Sequence, residues 1–68
     1  MQEDTLNLSV RRFLKSFGVR AQQEIERAVA NAVASGAVSG TGKYPGTITL
    51  EIPGLKLNVQ ITGEIDLG

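Results

Sequence analysis

The side chains able to do chemistry here are seven carboxylates, seven cations, one tyrosine and a handful of hydroxyls, with no histidine and no cysteine. General acid–base catalysis near neutral pH most often uses histidine, and nucleophilic catalysis needs a thiol, hydroxyl or amine activated by a neighbouring base. Without imidazole or thiolate the usual pairings cannot be built, and neither can a zinc site on those ligands. An enzyme would have to work with carboxylates, Lys43 and Tyr44 alone. Glu24 and Glu26 stand two apart on a helical stretch and diverge. Glu64 and Asp66 share one face of a strand and would meet a cation only weakly. Together with Glu51 these acids read as solvated charge. The expectation is no catalysis, no cofactor, no metal and no small-molecule substrate.

Ser39-Gly40-Thr41-Gly42-Lys43 has the flavour of a phosphate-binding loop. That motif needs a glycine five positions before its Gly-Lys pair and a hydroxyl residue after it. Here position 37 is Ala and Lys43 is followed by Tyr44. The order of elements is also reversed, because the motif aims the amides of a following helix at the anion and this loop precedes a strand. It reads as a linker.

Arg11, Arg12, Lys15 and Arg20 form the one local excess of positive charge. They support an alternative function, a weak nucleic-acid-binding domain of helix-turn-helix and β-wing type. Against it, the chain's formal net charge is zero, the wing would carry Glu51 and Glu64, and the reading helix would carry Glu24 and Glu26, which phosphates repel. A solvated basic face on the first helix is the plainer account.

The elements that must position these groups divide near residue 36. Leu6, Val10, Phe13, Leu14 and Phe17 fall at i, i+4, i+7, i+8 and i+11, one stripe of a helix. Glu3 and Asp4 suit its start and Lys15 its end. Gly18 then reads as a helix stop. Leu8 points away from the stripe. An alternative lets Thr5–Val10, which alternates polar and apolar, begin extended. Gly18-Val19-Arg20 reads as a short turn into a second helix, from about Ala21 to Ser35. Ala21, Ile25, Ala28, Val29, Ala32 and Val33 lie on one face of that helix and Gly36 ends it. The cationic and apolar sides of the first helix would also suit a membrane surface, but a chain of 68 residues needs that stripe for a core.

Residues 36–46, with four glycines, read as a loop. Beyond it the pattern is β. Ile48, Leu50 and Ile52 alternate with Thr47, Thr49 and Glu51, and after Pro53-Gly54 a second alternation runs from Leu55 through Leu57, Val59 and Ile61 to Leu67. Pro-Gly between such runs predicts a hairpin. A two-residue loop sets Ile52 beside Leu55, Leu50 beside Leu57, Ile48 beside Val59 and Glu51 opposite Lys56. The second run is then about twice as long as the first, so residues 63–67 lack a partner, with Gly63 marking a bend or bulge.

Arg12-Phe13-Leu14-Lys15, Gly18-Val19, Gln22, Glu24-Ile25-Glu26, Ala28-Val29 and Ala34-Ser35-Gly36, with Gly54-Leu55 and Gly63-Glu64-Ile65, resemble a small uncharacterised bacterial family. Its members are about 70 residues long and classed as a domain of unknown function. The resembling residues are core positions, glycine stops and a helix face, so the resemblance implies a fold and no activity. Family members tend to carry a hydroxyl residue where Arg20 stands, which would cap the second helix as arginine cannot.

The expectation is therefore one α+β domain over residues 1–68, α-α-β-β: a helical hairpin (1–35), a Gly-rich loop (36–46) and a β-hairpin (47–67), the helices packed on one sheet face. A chain this short buries only about 60% of its unfolded surface, and no disulfide or metal assists it. The unpartnered tail and small core predict a non-enzymatic structural or protein-interaction module, self-associating as a homodimer or bound to another protein. Lacking a leader or an apolar run long enough for a membrane, it is expected in the cytoplasm.

Overall fold

The computed structural model describes residues 1–68. It is α+β, with one helix followed by an antiparallel two-stranded hairpin. The chain forms two compact units, Met1–Ala37 and Val38–Gly68.

The first unit is a single helix, α1 (Glu3–Ala34), 32 residues long and so about 48 Å from end to end. The expected helical hairpin is not formed: Gly18, Val19 and Arg20 are all helical. The reason lies in phase. Phe17 to Ala21 is one i, i+4 step, so the stripe of the first stretch and the face of the second join without a break. Gly18 has no positive φ; it is a weak helix former held inside a helix by the residues around it. Leu6, Phe17 and Ala28 repeat at intervals of eleven, as do Val10, Ala21 and Ala32, and Leu14 and Ile25. The stripe thus keeps close to the helix period along the whole of α1. Val33, placed on the second face by the sequence reading, falls outside the joined stripe, as does Leu8. The extended alternative for Thr5–Val10 is likewise excluded, since α1 begins at Glu3.

At the N-terminus Gln2 is the cap, in extended conformation, and its side chain makes no capping bond. Its Oε1 instead accepts from Thr5 Oγ1 at 3.0 Å. Glu3 and Asp4 occupy the first turn, where the helix dipole favours acids. The C-terminus closes with a Schellman arrangement: Ala37 N donates to Ala32 O (2.9 Å) and Gly36 N to Val33 O (3.1 Å). Gly36 takes φ +78°, the left-handed conformation this end requires. The true helix stop is therefore Gly36, as expected, and not Gly18.

The second unit is the hairpin of β1 (Lys43–Ile52) and β2 (Leu57–Asp66). Its register differs by two residues from the expected one. Ile52 faces Leu57, Leu50 faces Val59, Ile48 faces Ile61, and Glu51 faces Asn58 and not Lys56. The loop is four residues long. Pro53–Leu55 form a 3-10 turn, Lys56 N donates to Pro53 O at 3.0 Å, and Lys56 is left-handed at φ 53°, ψ 36°. Pro53 is the cause. A two-residue hairpin loop needs a positive φ at its first position, and the proline ring fixes φ near −65°. Because two and four are both even, the apolar faces still coincide, as the alternation demands.

The longer loop also removes the surplus strand. β1 begins at Lys43, four residues earlier than expected, so Glu64, Ile65 and Asp66 face Pro45, Tyr44 and Lys43. Leu67 N and Gly42 O continue the pairing at 2.8 Å, and Gly42 N donates to Gly68 O at 3.0 Å. The register runs unbroken from Lys43 to Ile52, so Gly63 marks no bulge; it faces Gly46. Neither the unpartnered tail nor the eleven-residue loop survives.

Candidate interaction surface

Alternation along the hairpin sends Tyr44, Gly46, Ile48, Leu50 and Ile52 to one face with Leu57, Val59, Ile61, Gly63 and Ile65. The other face carries Lys43, Pro45, Thr47, Thr49 and Glu51 with Asn58, Gln60, Thr62, Glu64 and Asp66. Each sheet face is thus chemically uniform. The opposed glycines Gly46 and Gly63 divide the apolar face, leaving the Tyr44–Ile65 pair apart from the six aliphatic residues nearer the turn. Ile48 and Ile61, directly opposite one another, remain 63% and 56% exposed.

On α1 the large members of the stripe, Leu6, Val10, Phe13, Leu14, Phe17 and Ile25, are 40–58% exposed. Phe13 and Phe17 meet edge to face with ring centroids 4.6 Å apart. The stripe is graded in size. Its N-terminal half is built from Leu, Val and Phe, its C-terminal half from Ala21, Ala28 and Ala32 around Ile25. Nowhere in the chain is a residue buried. Within its own unit, Met1–Ala37, α1 has no second element against which to cover such a stripe.

The structure does not gather the four basic residues into one patch. At about 100° per residue Arg11, Lys15, Arg12 and Arg20 spread over roughly half of the helix circumference. Arg20 is committed to an ion pair, its Nε donating to Glu24 Oε1 at 3.1 Å. Arg27, overlooked in the sequence reading although three residues from Glu24, donates from Nη1 to the same oxygen at 3.5 Å. Arg11, Arg12 and Lys15 lie away from the stripe and form no ion pair. With one continuous helix there is no turn between two helices, so the helix-turn-helix geometry invoked for nucleic-acid binding is not formed.

No three acidic side chains come together in a way that would hold a metal ion. Glu64 and Asp66 do share a sheet face, as expected, but Asp66 Oδ1 accepts from Gly68 N at 2.9 Å and Asp66 faces Lys43. The glycine-rich segment also has a structural task. Gly40 and Gly42 take φ +89° and +98°, Ser39 Oγ and Thr41 Oγ1 lie 3.1 Å apart, and both the amide and carbonyl of Gly42 bond to the C-terminal residues. Lys43 opens a strand, so no helix N-terminus follows to receive an anion. No helix is long and apolar enough to cross a membrane.

The chain belongs to the DUF6494 family, a family of unknown function whose model matches residues 1–68. Neither a curated protein nor a solved structure matches it.

Proposed function

We propose that this member of a family of unknown function is a non-enzymatic protein-interaction module that self-associates through the apolar stripe of α1. The observation that carries the reading is a stripe running the length of a 32-residue helix whose residues are nowhere buried. Fully covering one Val, Leu, Ile or Phe contributes about 1.5–3 kcal/mol. The six large stripe residues are about half exposed, so covering them contributes about 5–9 kcal/mol per helix, before the cost of association. Residues 64–66 pair with Lys43–Pro45 inside the hairpin, so self-association rests on the helix stripe and not on an unpartnered β tail.

Sedimentation equilibrium over a micromolar to submillimolar range tests the proposal. The expected result is a dimer that dissociates on dilution. Phe17→Glu, within the stripe, should abolish it, while Leu8→Glu, on the opposite side of α1, should leave it intact. A monomer at every concentration would overturn the reading.

A second reading keeps Arg11, Arg12 and Lys15 as a weak phosphate-binding face, supported by their freedom from ion pairs on the side of α1 away from the stripe. Titration with duplex and single-stranded oligonucleotides at low salt tests it. Phosphate-driven binding must weaken steeply as salt rises; affinity indifferent to salt, or no binding, rules it out.

A further inference from the structure

From the size grading of the stripe we infer that the partner is a second copy of this chain with its α1 antiparallel, crossing near residue 19. This rests on the proposed self-association and specifies its geometry. Let facing residues have numbers that sum to 38. Leu6 then meets Ala32, Val10 meets Ala28, Phe13 meets Ile25 and Phe17 meets Ala21. Three of these four layers set a large side chain against an alanine, and each occurs twice by the two-fold symmetry. The large side chains are thereby spread along the pair, with Phe13 against Ile25 the bulkiest layer, instead of being gathered at one end, which lets the axes keep the 8–10 Å separation of packed helices. A parallel pair would stack Phe13 on Phe13 and Phe17 on Phe17 at one end, and Ala28 on Ala28 and Ala32 on Ala32 at the other. Its axes would have to splay, leaving the aromatic end open or the alanine end hollow.

Charge favours the same choice. Residues 11–15 contain Arg11, Arg12 and Lys15, whereas residues 23–27 contain Glu24, Glu26 and Arg27, net −1. The antiparallel pair lays these segments side by side; the parallel pair lays three cations beside three cations. The helix dipoles add to the preference, each positive end lying near a negative one. Arg11, Arg12 and Lys15 stand back from the seam, so salt screens this contribution and the volume match sets the orientation. The eleven-residue recurrence of the stripe calls for a nearly straight pair with a shallow right-handed wind, unlike the left-handed wind of heptads.

The chain has no cysteine, so single thiols can be placed at will. Leu8→Cys and Gln23→Cys both lie off the stripe, and each is spin-labelled for pulsed dipolar spectroscopy in the full-length chain. At 1.5 Å rise per residue the antiparallel pair separates the two Leu8→Cys labels by about 33 Å along the axis and the two Gln23→Cys labels by about 12 Å. A parallel pair gives no axial separation at either site. A long distance at 8 with a short one at 23 is the expected result. A dimer with similar short distances at both sites overturns the antiparallel arrangement and leaves self-association standing. Labels too far apart at both sites in a sedimenting dimer show that α1 is not the seam. A monomer removes both proposals. Unchanged far-ultraviolet circular dichroism of each labelled chain confirms that α1 is intact.

Discussion

Replacing Gly18 by alanine separates one continuous helix from two helices joined at a glycine. Gly18 lies inside α1, its φ is not positive, and a Cβ built on it meets nothing within 4 Å. The substitution therefore adds no strain and no clash, and its effect reduces to helix propensity, about 0.8–1.0 kcal/mol in favour of alanine in a helix interior. In a chain of this size about 1 kcal/mol raises Tm by roughly 4–8 °C. Gly36→Ala is the paired measurement. That residue has φ +78°, so alanine is forced into the left-handed region at a cost of about 1–2 kcal/mol and Tm should fall. Thermal melts by circular dichroism at 222 nm, at one fixed concentration, read both. If Gly18→Ala lowers Tm as Gly36→Ala does, or diminishes the helical signal, Gly18 is a helix stop and the continuous stripe does not exist.

Two further measurements address other parts of the molecule. Lys56 holds a left-handed conformation without being glycine, so Lys56→Asn, which tolerates that region better, should stabilise the hairpin by about 0.5–1 kcal/mol; urea melts read this, and a loss of stability would contradict the four-residue loop. Glu24→Gln removes the shared acceptor of Arg20 and Arg27, but these side chains are 50–75% exposed, so the change should stay below about 0.5 kcal/mol and shrink further in salt.

Much of the fold is legible in residue order, and the departures have definite causes. Alternation fixed which side of each strand is apolar, and no loop of even length changes that. The loop length itself was also readable, because Pro53 cannot supply the positive φ of a two-residue turn. Reading Pro-Gly as a turn signal without asking which turn it permits shifted the register by two and created a surplus strand that Tyr44, Pro45 and Lys43 in fact pair. At Gly18 a local propensity was weighed above a long-range one. Glycine in mid-helix costs about 1 kcal/mol, whereas a turn at residues 18–20 would create two further helix ends with unpaired backbone groups. The candidate surface was half visible: each stretch of the stripe could be seen, but their union could not while a turn was placed between them. The cationic residues can be named from the sequence, whereas their scatter around α1 and the ion pair of Arg20 with Glu24 emerge only once the helix is continuous.

Pro45 gives the hairpin two unequal outer rims. Backbone groups of an antiparallel pair point alternately inward and outward, and the bond from Leu67 N to Gly42 O sets the phase: the amides of residues 43, 45, 47, 49 and 51 point away from β2, and those of 58, 60, 62, 64 and 66 away from β1. In the first row proline leaves a blank. The second row is complete, five donors in sequence from Asn58 to Asp66. An added strand would therefore find a full ladder only alongside β2, while Pro45 interrupts any ladder along β1 in the manner by which sheet proteins discourage indefinite stacking.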